Sequence, residues 1–257
     1  MNELVVIGCS SGMPSGVKSN SAFLFRTEWG VFLVDCGEGT SASMRRLRID
    51  FDRLQTVFIT HAHPDHCAGL PLLIQMMFLA KRKKPLDIYL PRELIAPMRV
   101  FMDGTYIFKE KMGFKFNFFP LKPNPAFKKG NFSLSIYPSR HLYGYTELIR
   151  KHGYKNRMEA YIFSLNLKGK KIVYSGDLAS FHDLDNLIDD ADLLIIEGMH
   201  IDLKSLWKGV VQKRVKRVML THLPDLPPSR LERIKSQAER HGVKKLILAE
   251  DGLRIRI

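Results

Sequence analysis

The sequence predicts an α/β fold in which two mixed β-sheets are flanked by helices. Three observations lead to this prediction: apolar runs of strand length recur along the chain, helical periodicity appears between some of them, and the two halves of the chain resemble each other. The 257 residues suit one large α/β domain or two small ones, and we expect a single domain over residues 1–257.

The expected strands are short apolar runs rich in β-branched and aromatic residues. They are Leu4–Ile7, Ala22–Phe25, Val31–Val34, Val57–Ile59, Ile88–Leu90, Phe114–Phe119, Phe132–Tyr137, Tyr161–Leu167, Ile172–Tyr174, Leu193–Ile196, Val218–Leu220 and Lys245–Leu248. Strands outnumber helices, which favours two sheets with helices outside them.

Two stretches between these runs carry apolar residues at the spacing of one helix face. The positions are Leu70, Leu73, Met77 and Ala80 in one stretch and Leu231, Ile234 and Ala238 in the other. The first helix is predicted to end in KRKKP, where basic residues are favourable at a helix C-terminus. The second is predicted to begin after DLPP and to stop at Gly242.

An internal resemblance links the two halves of the chain. TVFITHAHPD near residue 60 is similar to RVMLTHLPD near residue 220, and VFLVDCGEG near residue 35 is similar to KIVYSGDLA near residue 175. Each segment is an apolar strand that ends in Asp or in Thr-His. We therefore expect two related halves that present polar side chains at strand ends, on one shared edge.

The segment TVFITHAHPDHCAG carries the strongest chemical signal. An apolar run leads directly into His61, His63, Asp65 and His66. Imidazole and carboxylate together suit zinc or a similar transition metal. These donors cannot easily surround one ion, whereas they can serve two ions about 3.5–4 Å apart, as in two-metal hydrolysis. A surface histidine cluster is the alternative, and it explains a single histidine better than this pattern.

These residues carry a resemblance to a known family. THAHPDHCAG resembles the T-H-x-H-x-D-H-x-x-G signature of the metallo-β-lactamase superfamily. Four further segments resemble its other motifs in the same order: VDCGEGT at 34–40, PSRHLYG around His141, SGDLAS around Asp177 and LTHLPD around His222. The resemblance implies a four-layered αβ/βα sandwich with metal ions at the strand edge between the halves.

The resemblance also implies roles for individual residues, with two Zn²⁺ (or Mn²⁺) ions as cofactors. One ion is expected on His61, His63 and His141, and the second on Asp65, His66 and His222. Asp177 is expected to bridge the two ions. Asp65 is also expected to be catalytic, because it would support the hydroxide that attacks the substrate. Asp35 is expected to orient a ligand histidine without coordinating a metal itself.

Four segments are similar to the ribonuclease Z branch of that superfamily. They are GCSSGMPSGVKSNSAFLFR, VDCGEGTSASMRRL, GLPLLIQM and KPLDIYLP, and the similar pattern runs from about residue 4 to 98. That branch contains tRNA 3′-end endonucleases and related phosphodiesterases. A net charge of +14 with a pI near 9.7 fits an RNA or nucleotide substrate.

Two departures from the ribonuclease Z pattern bear on tRNA processing. In LLIIEGMH, residues 193–200, Glu197 matches an expected orienting glutamate, but Ile196 occupies the position of a histidine implicated in proton donation. His200 either replaces that histidine as a catalytic acid or is a plain surface residue.

The second departure is that residues 142–176 leave little room for a projecting arm that grips tRNA. The basic and aromatic stretch YGYTELIRKHGYKNR is expected to be a substrate loop or a solvated hairpin.

These observations predict a metal-dependent hydrolase. The leading hypothesis is a dinuclear phosphodiesterase resembling ribonuclease Z, with RNA or another phosphodiester as substrate. The alternative is a metallo-hydrolase acting on a small ester, lactone, sulfate or cyclic phosphate, and a third hypothesis is a non-catalytic binding protein. Three unpaired cysteines and no long apolar run predict a soluble cytoplasmic protein without a membrane partner. A homodimer is left open.

Overall fold

The computed structural model describes residues 2–28, 30–123, 127–130 and 132–257. The chain divides into two compact units, the first formed by Met1–Leu121 with Glu250–Ile257 and the second by Lys122–Ala249. Within the described residues, each unit contains one seven-stranded mixed sheet with helices, as the sequence predicts. That the whole chain forms a single domain stays a prediction.

Strands and helices are interspersed along both units. In chain order they are β1 Glu3–Gly8, β2 Ala22–Thr27, β3 Gly30–Val34, α1 Thr40–Arg46, β4 Leu54–Phe58, α2 Pro64–Cys67, α3 Leu70–Leu79, β5 Leu86–Leu90, α4 Arg92–Gly104, β6 Phe116–Pro120, β7 Phe127–Lys129, β8 Phe132–Pro138, α5 Thr146–His152, β9 Tyr161–Leu167, β10 Lys170–Tyr174, β11 Leu193–Glu197, α6 Leu203–Gln212, β12 Val218–Thr221, α7 Pro228–Arg240, β13 Leu246–Leu248 and β14 Arg254–Arg256. Short 3₁₀ helices occupy Phe51–Arg53, His141–Tyr145 and Phe181–Leu184.

The two sheets repeat one pattern of connections. In the first unit the strand order is β14-β1-β2-β3-β4-β5-β6, antiparallel from β14 to β3 and parallel from β3 to β6. In the second unit it is β13-β12-β11-β10-β9-β8-β7, antiparallel from β7 to β10 and parallel from β10 to β13. Such a repeat is what the internal sequence resemblance predicts.

Burial explains why the apolar runs form strands. The central parallel strands of the second unit contain Ile172–Tyr174 and Leu193–Ile196, all of them 2% exposed or less. Parallel strands covered on both faces read as continuous apolar runs. The run Val57–Ile59 is offset from the observed strand: β4 begins at Leu54 and ends before Ile59, because pairing with its neighbours includes the more polar residues at its start.

Both predicted helices are present. In α3 the buried residues include Leu70, Leu73 and Met77, and α7 buries Ile234 and Ala238.

The basic run at 81–84 does more than place cations at the C-terminus of a helix. Its Arg82 is buried, and its guanidinium donates to backbone carbonyls of Phe51, Asp52, Leu54, Lys84 and Pro85. Among the described residues, no helix has the length and apolarity that crossing a membrane requires.

Candidate metal centre

Four of the predicted site residues follow the carboxyl ends of parallel strands. In the first unit, Asp35 directly follows β3 and His61 comes shortly after β4. In the second, Asp177 comes shortly after β10 and His222 directly follows β12. Because the carboxyl ends of neighbouring parallel strands meet at one edge of a sheet, each sheet gathers its own donors there.

In the first unit, the turn after β4 and the short helix α2 bring four donors together. The ring centroid of His61 lies 4.8 Å from that of His63 and 4.1 Å from that of His66. The Nε2 atom of His66 lies 3.5 Å from an Asp65 carboxylate oxygen. Pro64 occupies the first turn of α2, where its missing N–H costs nothing and its fixed φ favours the helix.

Asp35 determines which ring nitrogens of this cluster carry protons. Its buried carboxylate accepts from the Thr60 N–H at 2.7 Å and from the Thr60 hydroxyl at 2.9 Å, and lies 2.8 Å from Nδ1 of His66. A carboxylate can only accept, so Nδ1 of His66 is the protonated nitrogen. The Thr60 hydroxyl uses its hydrogen on Asp35, and therefore accepts from Nδ1 of His61 at 3.0 Å. In both histidines Nε2 is thus the nitrogen suited to coordinate a metal.

Two glycines allow the segments around Asp35 and Asp65 to approach closely. A Cβ atom at Gly37 would lie 2.2 Å from the carbonyl oxygen of Asp65, and one at Gly69 would lie 2.1 Å from that of Gly37. Backbone hydrogen bonds from Cys36 N to His66 O and from Gly69 N to Cys36 O hold this contact. The glycines of VDCGEGT and HCAG therefore serve backbone packing behind the cluster.

In the second unit, three imidazoles surround one buried carboxylate. An oxygen of Asp177 lies 3.6 Å from Nε2 of His141, 3.4 Å from Nε2 of His222 and 3.8 Å from Nδ1 of His200. The Asp177 side chain is 3% exposed. The structure thus places His200 beside predicted metal ligands, although its side chain remains 39% exposed.

Glu197 holds the turn that carries His200. It is the last residue of β11 and is 1% exposed. One of its carboxylate oxygens accepts from the N–H groups of Met199 at 2.6 Å and His200 at 2.8 Å. The same oxygen lies 3.6 Å from Nδ1 of His200. A buried carboxylate therefore fixes the backbone of this histidine and lies near its ring.

Two features beside the second cluster were not found from the sequence. An open cavity of about 720 Å³ is lined by His141 and His200 together with Arg140, Tyr143, Gly144, Leu178, Ala179, Ser180 and His182. Ser139 and Asp183 hydrogen-bond to the loops that carry His141 and Asp177. Ser139 lies inside a recognised motif, whereas no spacing pattern marks Asp183.

The described residues contain two groups of histidine and aspartate side chains that could hold a metal ion. Imidazole nitrogens and carboxylate oxygens are ligands that zinc accepts in hydrolytic centres. The hydrogen bonds that orient His61 and His66 are those typical of metal-binding histidines. The donor set thus fits the metal ions that the sequence predicts.

Comparison with known proteins agrees with this chemistry. A family model for the anti-Pycsar protein Apyc1 matches residues 2–241. The ribonuclease Z of Methanothermobacter thermautotrophicus is 28% identical over 280 residues, with 87% of each chain covered. The ribonuclease Z of Parabacteroides distasonis is 34% identical over 142 residues, which cover 54% of this chain and 46% of that protein, so the chain spans about half the length of some relatives.

The fold itself is confirmed by a solved structure. The metallo-β-lactamase fold protein YhfI from Bacillus subtilis superposes with a TM-score of 0.79 at 19% identity, and all of both chains is covered. At that identity the likeness establishes the fold alone. With the family model matching almost the whole chain, the chain belongs to the anti-Pycsar protein Apyc1 family, and it has the metallo-β-lactamase fold.

Proposed function

We propose that the protein is a dinuclear metallo-phosphodiesterase that opens the phosphate ring of a cyclic nucleotide. The observation that carries this proposal is the match of residues 2–241 to the Apyc1 family, a family of cyclic nucleotide phosphodiesterases. It favours the cyclic phosphate alternative over the tRNA endonuclease hypothesis. The net charge of +14 suits an anionic substrate of either kind.

Maturation of tRNA 3′ ends is the second candidate, and the ribonuclease Z relatives favour it. Two features count against it. Ile196 lies in β11, fully buried, at the position of the proton-donating histidine, and it cannot supply a proton. Between His141 and Asp177 the residues belong to a 3₁₀ helix, α5, the strands β9 and β10 and short connections, which leaves no long segment for a projecting arm.

We propose the ligand sets that the family resemblance implies. His61, His63 and His141 would hold one ion, Asp65, His66 and His222 the second, and Asp177 would bridge them. Bound Zn²⁺ or Mn²⁺ ions would lower the pKa of water toward neutrality and stabilise charge on the phosphoryl oxygens. Asp35 and Thr60 would contribute by keeping Nδ1 of two histidines protonated, which leaves Nε2 of each as the nitrogen that could coordinate a metal.

The reaction adds one water molecule across one P–O bond of the ring. The water oxygen bonds to phosphorus, one ester bond to the sugar breaks, and the released sugar oxygen takes up a proton. Asp65 is proposed to orient the attacking water. His200 is proposed to supply the proton, because Glu197 holds it beside Asp177. A positioned acid typically contributes about 10²–10⁴-fold to the rate.

The cavity beside His141 and His200 is the proposed position of the nucleoside. Its volume of about 720 Å³ is within the size range of small-molecule sites. Tyr143 is 53% exposed at this cavity and offers an aromatic face to a base, whereas Ser180 and His182 offer hydrogen-bonding groups. An open cavity of this kind suits a small nucleotide.

The test compares two substrates on the same zinc- or manganese-reconstituted protein. A panel of cyclic mononucleotides should yield linear nucleoside monophosphates, whereas a precursor tRNA transcript should remain uncut at its 3′ end. His63→Ala, matched for protein concentration and added metal, controls for contaminating nucleases and should be inactive. Efficient tRNA 3′ cleavage without cyclic nucleotide hydrolysis would replace the proposal with the second candidate. Turnover of carboxylic esters or lactones alone would exclude both.

A further inference from the structure

Two loops of the second unit carry proposed metal ligands, and one hydroxyl group joins them. Ser139 is 2% exposed. Its hydroxyl accepts from the N–H of His141 at 3.2 Å and donates to the carbonyl oxygen of Asp177 at 2.8 Å. A serine hydroxyl has one hydrogen and two lone pairs, so it can make both bonds at once. The backbones of the two ligand residues are therefore linked through one side chain.

A buried carboxylate makes a second link between the same loops. The Asp183 side chain is 2% exposed and extends from the 3₁₀ helix Phe181–Leu184. One of its oxygens accepts from Ala179 N at 3.0 Å and from Arg140 N at 3.3 Å, and the other accepts from Arg140 Nε at 2.6 Å. The Ser139 hydroxyl lies 3.4 Å from the first of these oxygens. The residue before His141 and the second residue after Asp177 thus meet on one carboxylate.

We propose that Ser139 and Asp183 form a bracket that sets the distance between His141 and Asp177 and thereby the affinity for metal. Both are positioning residues, since they act through ligands and touch neither metal nor substrate. The inference rests on the proposed metal centre. Its basis is the observed geometry: the bracket holds both loops where Asp177 lies 3.6 Å from Nε2 of His141. Without it, the ligands would have to be ordered when the metal binds.

The experiment compares bracket variants with matched controls. Ser139→Ala removes the shared hydroxyl. Asp183→Asn keeps the shape but replaces one acceptor oxygen with an N–H₂ donor, which must face a donor of Ala179 or Arg140. Ser205→Ala and Asp190→Asn make the same chemical changes at exposed sites of the same unit, where Ser205 bonds Asp202 and Asp190 pairs with Arg214.

Zinc affinity is measured by competition with a chromogenic chelator, and the melting temperature is measured with and without zinc. We expect a 10- to 100-fold higher Kd in both bracket variants, the range found for groups that orient metal ligands. The stabilisation that zinc adds should shrink accordingly. Activity should return toward the wild-type value once zinc exceeds the new Kd. The control variants should bind zinc as the wild type does.

Unchanged zinc affinity in Asp183→Asn or Ser139→Ala would overturn the bracket. A drop in melting temperature that is equal with and without zinc would do the same, because it would indicate a purely structural role. Should Ser139→Ala fail to fold, Asp183→Asn decides alone. If the wild-type protein binds two zinc ions and the variants bind zinc as tightly, only the bracket is rejected. If the wild-type protein binds no zinc, the proposed function is rejected together with the bracket.

Discussion

Replacing Asp35 with asparagine tests how the first cluster is held in place. Asp35 is fully buried and has a φ of 58°, a backbone region that asparagine also tolerates. The substitution therefore changes hydrogen bonding more than shape. In the native chain the carboxylate only accepts: from the N–H and hydroxyl of Thr60, and from Nδ1 of His66.

An amide cannot satisfy both sides of this network while Nδ1 of His66 stays protonated. If its oxygen faces Thr60, its N–H₂ group faces Nδ1 of His66, which must then accept, and the histidine proton moves to Nε2, the nitrogen proposed to bind metal. If the amide is reversed, its N–H₂ group meets the Thr60 N–H, and two donors face each other. Loss of such orienting groups typically weakens metal binding 10- to 100-fold, about 1.4 to 2.7 kcal/mol.

The assay is a zinc titration of the metal-free variant, followed by kcat/KM at limiting and at saturating zinc. We expect the Kd of at least one ion to rise 10- to 100-fold and the activity at limiting zinc to fall in proportion. Asp87→Asn is the matched control, since this carboxylate of the same unit accepts a long bond of 3.4 Å from Asn117. Wild-type affinity in Asp35→Asn would refute the reasoning.

Three further predictions concern stability, reactivity and proton donation. Replacing Arg82 by methionine should lower the free energy of unfolding by on the order of 3–5 kcal/mol in urea titrations, because buried carbonyls lose their donor. The control variant Lys84→Met, at an exposed ion pair, should lower it by less than about 1 kcal/mol. Equal losses in the two variants would contradict this prediction. Burial raises the pKa of Cys67 to about 12 and also raises the pKa of Cys9 and Cys36. A thiol reagent at pH 8 should therefore label the three cysteines only after the protein unfolds. Rapid labelling of the native protein would be inconsistent with this prediction. His200→Ala should slow cyclic nucleotide hydrolysis by about 10²–10⁴-fold but barely affect bis(p-nitrophenyl) phosphate, whose phenolate leaves without a proton; equal effects on both substrates would exclude the acid role.

The strands could be predicted from the sequence because burial on both faces leaves a continuous apolar run. Strand β11 is the clearest case, since every residue of Leu193–Glu197 is buried. Short or edge elements escaped prediction: β7 and β14 have three residues each and no long apolar run. Helix α4 also escaped, because Pro97 lies inside it and argues against a helix in a sequence.

The candidate site was predictable where its residues are close in sequence. His61, His63, Asp65 and His66 share one strand end and one short helix, so their spacing alone indicates a common cluster. Contacts between distant segments leave no such pattern. The Ser139–Asp183 contact joins residues 44 positions apart. Likewise, nothing in the run KRKK shows which cation is buried, because the carbonyls around Arg82 come partly from residues 51–54.

Metal stoichiometry tests the central claim most directly. The protein is stripped with a chelator, reconstituted with zinc or manganese, freed of excess metal and analysed by elemental mass spectrometry against protein concentration. We predict close to two ions per chain in the wild type, with metal and activity lost together in His63→Ala. A wild-type protein that retains no transition metal after reconstitution would contradict a two-metal hydrolase.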